Sequence, residues 1–417
     1  MNNRTSGIVI IGGSHGGGEA AFRLRQGGFA GSIALLSAEA YLPYHRPPLS
    51  KAFLAGEVKA DTLLLRAADA YGKQNIAWHP NTTATSIDRA DHMLSLADGR
   101  KLGYGKLIIA TGGRPRTLPL PGADLDGIHV LRSIADVDRL RPEFLSGKRL
   151  VIVGAGYIGL EVAAVAIKTG LDVEIVEFAP RALARVAGPE LSAFYEGVHA
   201  KAGVKFRFNT GVEGFLAADH DSSRVGAVRC SGGVDLQADL VLVAAGLVPN
   251  VELAKEAGLE MGNGIVVDEF CRTSDPDILA IGDCVEFPLP FLGGKRVRLE
   301  SVPNALEQAR VAATFLNGNP TQYNAVPWFW SDQYNCKLQS VGLSQGYDKT
   351  VIRAPKNPEG FIVFYLQGNK VIAADCVSAM TEFNVAKKLV TDKIPVDPTA
   401  LADTTRDLRE IALGRAA

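Results

Sequence analysis

Two glycine-rich turns, whose first glycines stand 142 residues apart, constrain this 417-residue chain more than any other feature. The first lies in IVIIGGSHGGGEAA, where Gly12, Ser14 and Gly17 occupy the three glycine positions of a dinucleotide-binding fingerprint. The second lies in RLVIVGAGYIGLEVAA, with Gly154, Gly156 and Gly159 all intact. Each turn joins an apolar strand to a helix of small residues. One such turn is a weak signal. A pair predicts two nucleotides held side by side, with electron or hydride transfer between them.

In each turn the first glycine permits a tight bend and the second admits a pyrophosphate close to the backbone. The third lets helix and strand pack, so that the helix N-terminus faces the phosphates. An acid near the end of the next strand then accepts hydrogen bonds from a ribose. Glu177 closes DVEIVE 18 residues after Gly159, and Glu39 closes SIALLSAE 22 residues after Gly17. Both fall near the usual offset of about 20 residues.

Length sets a soft expectation of about three domains. Glycine makes up 44 of 417 residues, above the common fraction of about 7%, as several nucleotide-cradling turns require. A formal net charge of −1 offers no global attraction to nucleic acid or to an anionic membrane. The apolar run Ile8–Ile11 is too short for a signal peptide and leads straight into a glycine turn. No apolar stretch is long enough for a membrane span. The expectation is a soluble cytoplasmic protein with neither nucleic acid nor membrane as partner.

The cysteines are Cys230, Cys271, Cys284, Cys336 and Cys376, and none forms a CxxC or CxxxxC pair. A redox disulfide of the thioredoxin or glutathione reductase kind is thereby excluded, and buried thiols are expected. His15, His45 and His79 show no metal spacing, and no hydrolase arrangement of serine with histidine or of paired carboxylates stands out.

Five apolar strands are predicted at Gly7–Ile11, Lys106–Ala110, Arg149–Val153, Leu240–Ala244 and Ile278–Ile281. Ligands in such parallel sheets sit at the carboxyl ends of the strands. The simplest arrangement is an α/β chain with two Rossmann-like dinucleotide-binding domains and a small C-terminal α+β domain. Residues 1–117 and 247–326 form the first domain, discontinuous in sequence; 118–246 form the second, and 327–417 the third. The third contains a predicted hairpin, FIVFYLQ-GN-KVIAADCV, turning at Gly368 and Asn369, with helices from about residue 380.

Six motifs in order carry a resemblance to a known family. They are RPPLSK (Arg46–Lys51), ATGGRPR (Ala110–Arg116), GAGYIGLEVAA (Gly154–Ala164), TSDPDILAIGDC (Thr273–Cys284), RLESVPNALEQAR (Arg298–Arg310) and PWFWSDQY (Pro327–Tyr334). Through them the chain resembles the FAD-dependent pyridine-nucleotide–ferredoxin reductases, of glutathione-reductase-like fold, over nearly its whole length. That resemblance implies FAD and NAD as cofactors. It also implies electron delivery to a [2Fe–2S] ferredoxin serving a monooxygenase or dioxygenase.

The resemblance further implies roles for particular residues. Asp283 accepts hydrogen bonds from the flavin ribityl chain, a task suited to a carboxylate's several acceptor sites. The backbone of Val302 lies near the flavin ring, and Ala84 lies near the adenine. Arg46, Arg132, Ala110, Thr111 and Gly112 belong to the FAD site with Gly12, Ser14, Gly16 and Gly17. Gly154, Gly156, Gly159 and Glu177 belong to the nicotinamide cofactor, and Ile158 and Gly246 join the cofactor-binding residues. Lys51 and Glu161 form the catalytic pair beside the flavin, where a fixed ammonium stabilises negative charge arriving with hydride. Glu161 is expected in the first turn of its helix, favoured by the dipole. Trp330 is expected near the flavin, shielding the ring or passing electrons outward.

One departure matters. Relatives carry aspartate where this chain has Ala38, followed by Glu39; either Glu39 takes the FAD ribose or that bond is lost. Glu177 selects NADH, since a carboxylate repels a 2′-phosphate, although Arg181 and Arg185 follow. An acidic ferredoxin requires basic docking residues; Arg66, Arg310 and Lys387 or Lys388 resemble docking positions of relatives, and Lys337 is a further candidate beside the flavin-side strand. The family is often monomeric or weakly dimeric. Among alternatives, an NADH oxidase needs a redox cysteine between about residues 37 and 50, where there is none. A rubredoxin reductase differs only in its acceptor. A nucleic-acid-binding flavoprotein predicts a strongly basic surface that this composition lacks.

Overall fold

The computed structural model describes residues 7–354 and 360–414. Two compact units emerge, each assembled from separated stretches of chain. The first comprises 1–46, 60–114 and 248–326; the second comprises 47–59, 115–247 and 327–417.

The first unit is built on a parallel sheet in the order Ile278–Ala280, Lys106–Ile109, Ile8–Ile11, Ile33–Leu36, Ile76–His79. Its central strand Ile8–Ile11 is buried at every position. Strands covered on both faces read as unbroken apolar runs, which is why these segments are legible without alternation. The helix His15–Gln26 leaves the first glycine turn and packs against the helix Val302–Leu316. A three-stranded antiparallel sheet, Ala84–Asp88, Met93–Leu96 and Lys101–Gly103, completes the visible β-structure of residues 80–105.

The second unit repeats the plan with a parallel sheet in the order Lys205–Arg207, Asp172–Val176, Arg149–Val153, Leu240–Val243, Ile128–His129. Val151, Val153, Val176, Val241 and Val243 form its core with Phe215, Val225 and Val228 of an antiparallel three-stranded sheet. The same unit holds an antiparallel five-stranded sheet, Trp328–Gln333, Cys336–Gly342, Lys370–Val377, Phe361–Gln367 and Lys349–Arg353 in spatial order. The expected hairpin forms, with Gln367 opposite Lys370 and Gly368 at φ +61°. The helix Met380–Asp392 packs on the strands Cys336–Gly342 and Lys370–Val377.

All five cysteines are free and buried. Burial pushes the thiols of Cys230, Cys271, Cys284 and Cys376 up, away from the reactive thiolate. No helix among the described residues is long and apolar enough to cross a membrane.

Candidate active site

Both glycine turns adopt the conformation that their glycines were expected to permit. Gly12 and Gly154 have φ of +118° and +110°. A Cβ on Gly12 would lie 2.1 Å from the carbonyl oxygen of Ala110, and one on Gly154 would lie 2.6 Å from that of Ala244. The third glycines bring helix onto strand so closely that a Cβ would stand 1.9 Å from Gly12 O at Gly17 and 2.2 Å from Gly154 O at Gly159. At Gly156, by contrast, a Cβ would enter open space. That opening is the cradle a pyrophosphate needs, and the helix Tyr157–Thr169 begins there with no side chain capping its first N–H groups.

Ser14 likewise leaves its helix uncapped. Its Oγ instead accepts from Arg46 Nε at 2.9 Å. Arg46 also donates to Glu39 Oε1 at 2.5 Å, and the Tyr44 hydroxyl donates to Glu39 Oε2 at 2.5 Å. Glu39 therefore already balances a guanidinium beside the first turn, while Ala38 is exposed. Gly16 is buried in the helix that follows. His15 is buried too, edge-on to His45 at 5.7 Å.

Thr111 and Gly112 follow the strand Lys106–Ile109 and are fastened to Asn250. Thr111 Oγ1 donates to Asn250 O at 2.7 Å, and Asn250 N donates to Gly112 O at 2.9 Å. Asp283 sits in the short 3-10 turn after Ile278–Ala280, its carbonyl accepting from Arg298 at 3.1 Å. Ala84 opens an antiparallel strand, and Val302 opens the helix capped by Ser301. Val302 shares a cavity of about 260 Å³ with Arg66, Tyr71 and His45 in the first unit.

In the second turn, Glu177 points back at the glycines. Its Oε2 accepts from Ala155 N at 2.8 Å and its Oε1 from Ala179 N at 2.7 Å. Each oxygen keeps a lone pair for a ribose hydroxyl. Ile158, apolar yet 44% exposed, stands in the first helical turn, and Gly246 holds φ +99° with open space at its Cβ position. Arg132 precedes the helix Ile134–Leu140, its backbone N–H held by Asp136 at 3.0 Å.

Lys51 and Glu161 meet as expected, Nζ to Oε2 at 2.7 Å, with Lys51 also donating to Pro47 O at 3.2 Å. One expectation is corrected. The helix starts at Tyr157, so Glu161 lies in its second turn, beyond the free N–H groups. Its charge is compensated by side chains instead. Ser50 Oγ donates to Oε2 at 2.5 Å and Ser331 Oγ to Oε1 at 2.6 Å, and the carboxylate is only 4% exposed. Neither serine was singled out from sequence. The signal available was the alternation in WFWSDQ, which sets Ser331 and Gln333 on one face of a strand.

Trp330 lies half-buried in that strand, with Trp328 at 5.7 Å. Of the basic candidates, Lys387 lies over the Trp328 ring at 5.7 Å and Lys388 pairs with Asp392. Lys337 is exposed opposite Asp332. Arg66 is paired with Glu19 at 2.9 Å, and Arg310 with Glu307 at 2.6 Å.

Residues 6–309 match the family described as pyridine nucleotide-disulphide oxidoreductase, and residues 328–412 match the reductase C-terminal family. The chain is 47% identical over 412 residues to putidaredoxin reductase of Pseudomonas putida, covering 98% of this chain and 97% of that one. Rhodocoxin reductase of Rhodococcus erythropolis is 43% identical over 408 residues, 98% of this chain and 94% of its own. The reductase in the crystal structure of a covalent putidaredoxin reductase–putidaredoxin complex superposes with a TM-score of 0.94 at 46% identity, covering 100% of both chains. The chain thus belongs to the pyridine nucleotide-disulphide oxidoreductase family, as an oxidoreductase that uses FAD and NAD.

Proposed function

We propose that this chain is an NADH-dependent flavoprotein reductase that delivers electrons singly to a [2Fe–2S] ferredoxin feeding a monooxygenase or dioxygenase. FAD, when bound, supplies the exchange between hydride uptake and one-electron release. The observation that carries the reading is the end-to-end likeness to a reductase solved in covalent complex with putidaredoxin. The absence of any cysteine pair agrees with it, because electrons then have no disulfide to pass through.

In this reading the chain's own groups bind, orient and balance charge. Gly154, Gly156 and Gly159 admit the pyrophosphate of NADH, and Glu177 takes its ribose hydroxyls while disfavouring a 2′-phosphate. Arg46 orients Ser14 at the first turn, where FAD binds together with Asp283, Thr111 and Val302. Lys51 provides a fixed positive charge at the reacting centre, and Glu161 holds that ammonium in place. Neither has to exchange a proton. Trp330 shields the ring, and Arg66, Arg310, Lys337, Lys387 and Lys388 serve the acidic ferredoxin. The division into 1–117 with 247–326, 118–246 and 327–417 belongs to the same reading, as do a cytoplasmic location and a monomeric or weakly dimeric state.

The test is an anaerobic stopped-flow experiment. NADH should bleach the flavin quickly and NADPH slowly, and an added [2Fe–2S] ferredoxin should be reduced in turn. Bleaching relieved by rubredoxin or oxygen, and by no ferredoxin, would keep the fold and cofactors and overturn the acceptor.

A further inference from the structure

Behind the Lys51–Glu161 pair, a row of buried polar side chains runs away from the carboxylate. Ser331 Oγ donates to Glu161 Oε1 at 2.6 Å. Gln333 Nε2 donates to Ser331 Oγ at 3.2 Å. Gln333 Oε1 meets His199 Nε2 at 2.8 Å, and His199 Nδ1 meets the Tyr334 hydroxyl at 3.2 Å. Glu161, Ser331, Gln333 and His199 are 4%, 0%, 1% and 0% exposed, so no solvent compensates these groups. The row begins on the helix Tyr157–Thr169, follows one face of the strand Trp328–Gln333, and ends on the helix Pro189–Ala202.

Its polarity follows from the Glu161 end. Glu161 receives Ser50 and Lys51 on one oxygen, an arrangement for an anion that can only accept on the other. Ser331 must therefore donate, which leaves its oxygen to accept the Gln333 amide N–H. The amide oxygen then faces His199, which has to carry its proton on Nε2. Nδ1 remains an acceptor for Tyr334. Burial pushes the His199 pKa down, in keeping with a neutral ring. Every N–H or O–H in the row thus points its positive end toward Glu161, and such chains polarise one another.

We propose that Ser331, Gln333 and His199 are positioning residues for flavin reduction, forming a hydrogen-bond wire of fixed direction that holds the Glu161 anion and, through it, the Lys51 ammonium. This rests on the reading that Lys51 and Glu161 act at the flavin. The wire supplies positive potential to a buried carboxylate that a single lysine only partly balances. Removing a donor makes the field at the pair more negative, which opposes the arrival of hydride.

The experiment uses the FAD-loaded protein and measures the flavin midpoint potential against reference dyes, alongside the rate of anaerobic bleaching by NADH. Ser331→Ala and Gln333→Leu should both lower the potential, Ser331→Ala by more. The bleaching rate should fall about tenfold in Ser331→Ala, the equivalent of one hydrogen bond of ~1.4 kcal/mol. Glu161→Gln should raise the potential, since it leaves Lys51 uncompensated. If Glu161→Gln shifts the potential while Ser331→Ala and Gln333→Leu leave it unchanged, the wire is mere packing and the inference is overturned. If neither Glu161→Gln nor Lys51→Gln moves potential or rate, the placement of the pair at the flavin fails instead. Nitrogen NMR of the labelled holoenzyme gives an independent check, for a neutral His199 bearing its proton on Nδ1 would reverse the wire and refute it.

Discussion

Replacing Asp375 by asparagine should change how the protein's stability responds to pH. Asp375 lies in the middle of the five-stranded sheet, 6% exposed, with Ser340 Oγ donating at 2.5 Å and the Tyr365 hydroxyl at 2.7 Å. Tyr365 in turn accepts from Gly188 N at 3.0 Å, tying the sheet to the start of the helix Pro189–Ala202. Burial pushes the carboxyl from 3.8 up to about 6, the two hydrogen bonds oppose this, and Glu190 adds to it. Between those two values the folded chain keeps a proton that the unfolded chain has released. Stability from this group therefore falls as pH rises from about 4 to about 6 and then stays constant. A shift of roughly two units corresponds to about 3 kcal/mol of destabilisation at neutral pH.

Asparagine keeps the shape, accepting from Tyr365 and donating to Ser340, and carries no charge at any pH. Thermal midpoints of both holoproteins, followed by circular dichroism from pH 4.5 to 8, isolate the effect because every other titrating group is shared. The variant should gain on the wild type as pH rises, by about 6 °C for a cooperative unit of some 200 residues. Parallel curves for the two proteins would refute the buried-carboxyl reasoning.

Gly159→Ala should destabilise the second unit by about 1–3 kcal/mol, because its Cβ would press on a backbone carbonyl that cannot move aside; urea titration reads this directly. Gly156→Val should fold normally yet bind NADH more weakly, seen as a raised KM with unchanged thermal midpoint. Glu177→Gln should narrow the preference for NADH over NADPH in kcat/KM by about tenfold, the value of one charge-assisted contact. Lys51→Gln should slow flavin bleaching by about 100-fold, as loss of a single electrostatic stabiliser does. Arg310→Glu should weaken ferredoxin turnover chiefly at low ionic strength, leaving NADH oxidation by a small dye untouched.

The strands and turns were legible because their causes are local. Unbroken apolar runs mark strands buried on both faces, and a glycine that must hold φ +110°, or whose added Cβ would lie 2.2 Å from a carbonyl oxygen, announces itself within a few residues. The Gly-Asn hairpin and the inert cysteines follow from equally short patterns. The pairing of Lys51 with Glu161 came from resemblance, since nothing in either segment points to the other.

What sequence alone settled, then, was the two glycine turns, the parallel strands that feed them, and the absence of a redox disulfide. The tertiary structure decided how charge is balanced. Glu161 draws its partners from 111 and 170 positions away, and His199 reaches Gln333 across 134. It also moved Glu161 out of the first helical turn, occupied Glu39 with Arg46 and Tyr44, and buried Asp375 beneath a tyrosine. Backbone conformation depends on neighbours a few bonds away, whereas the potential at a buried carboxylate depends on whichever dipoles the fold brings within about 3 Å.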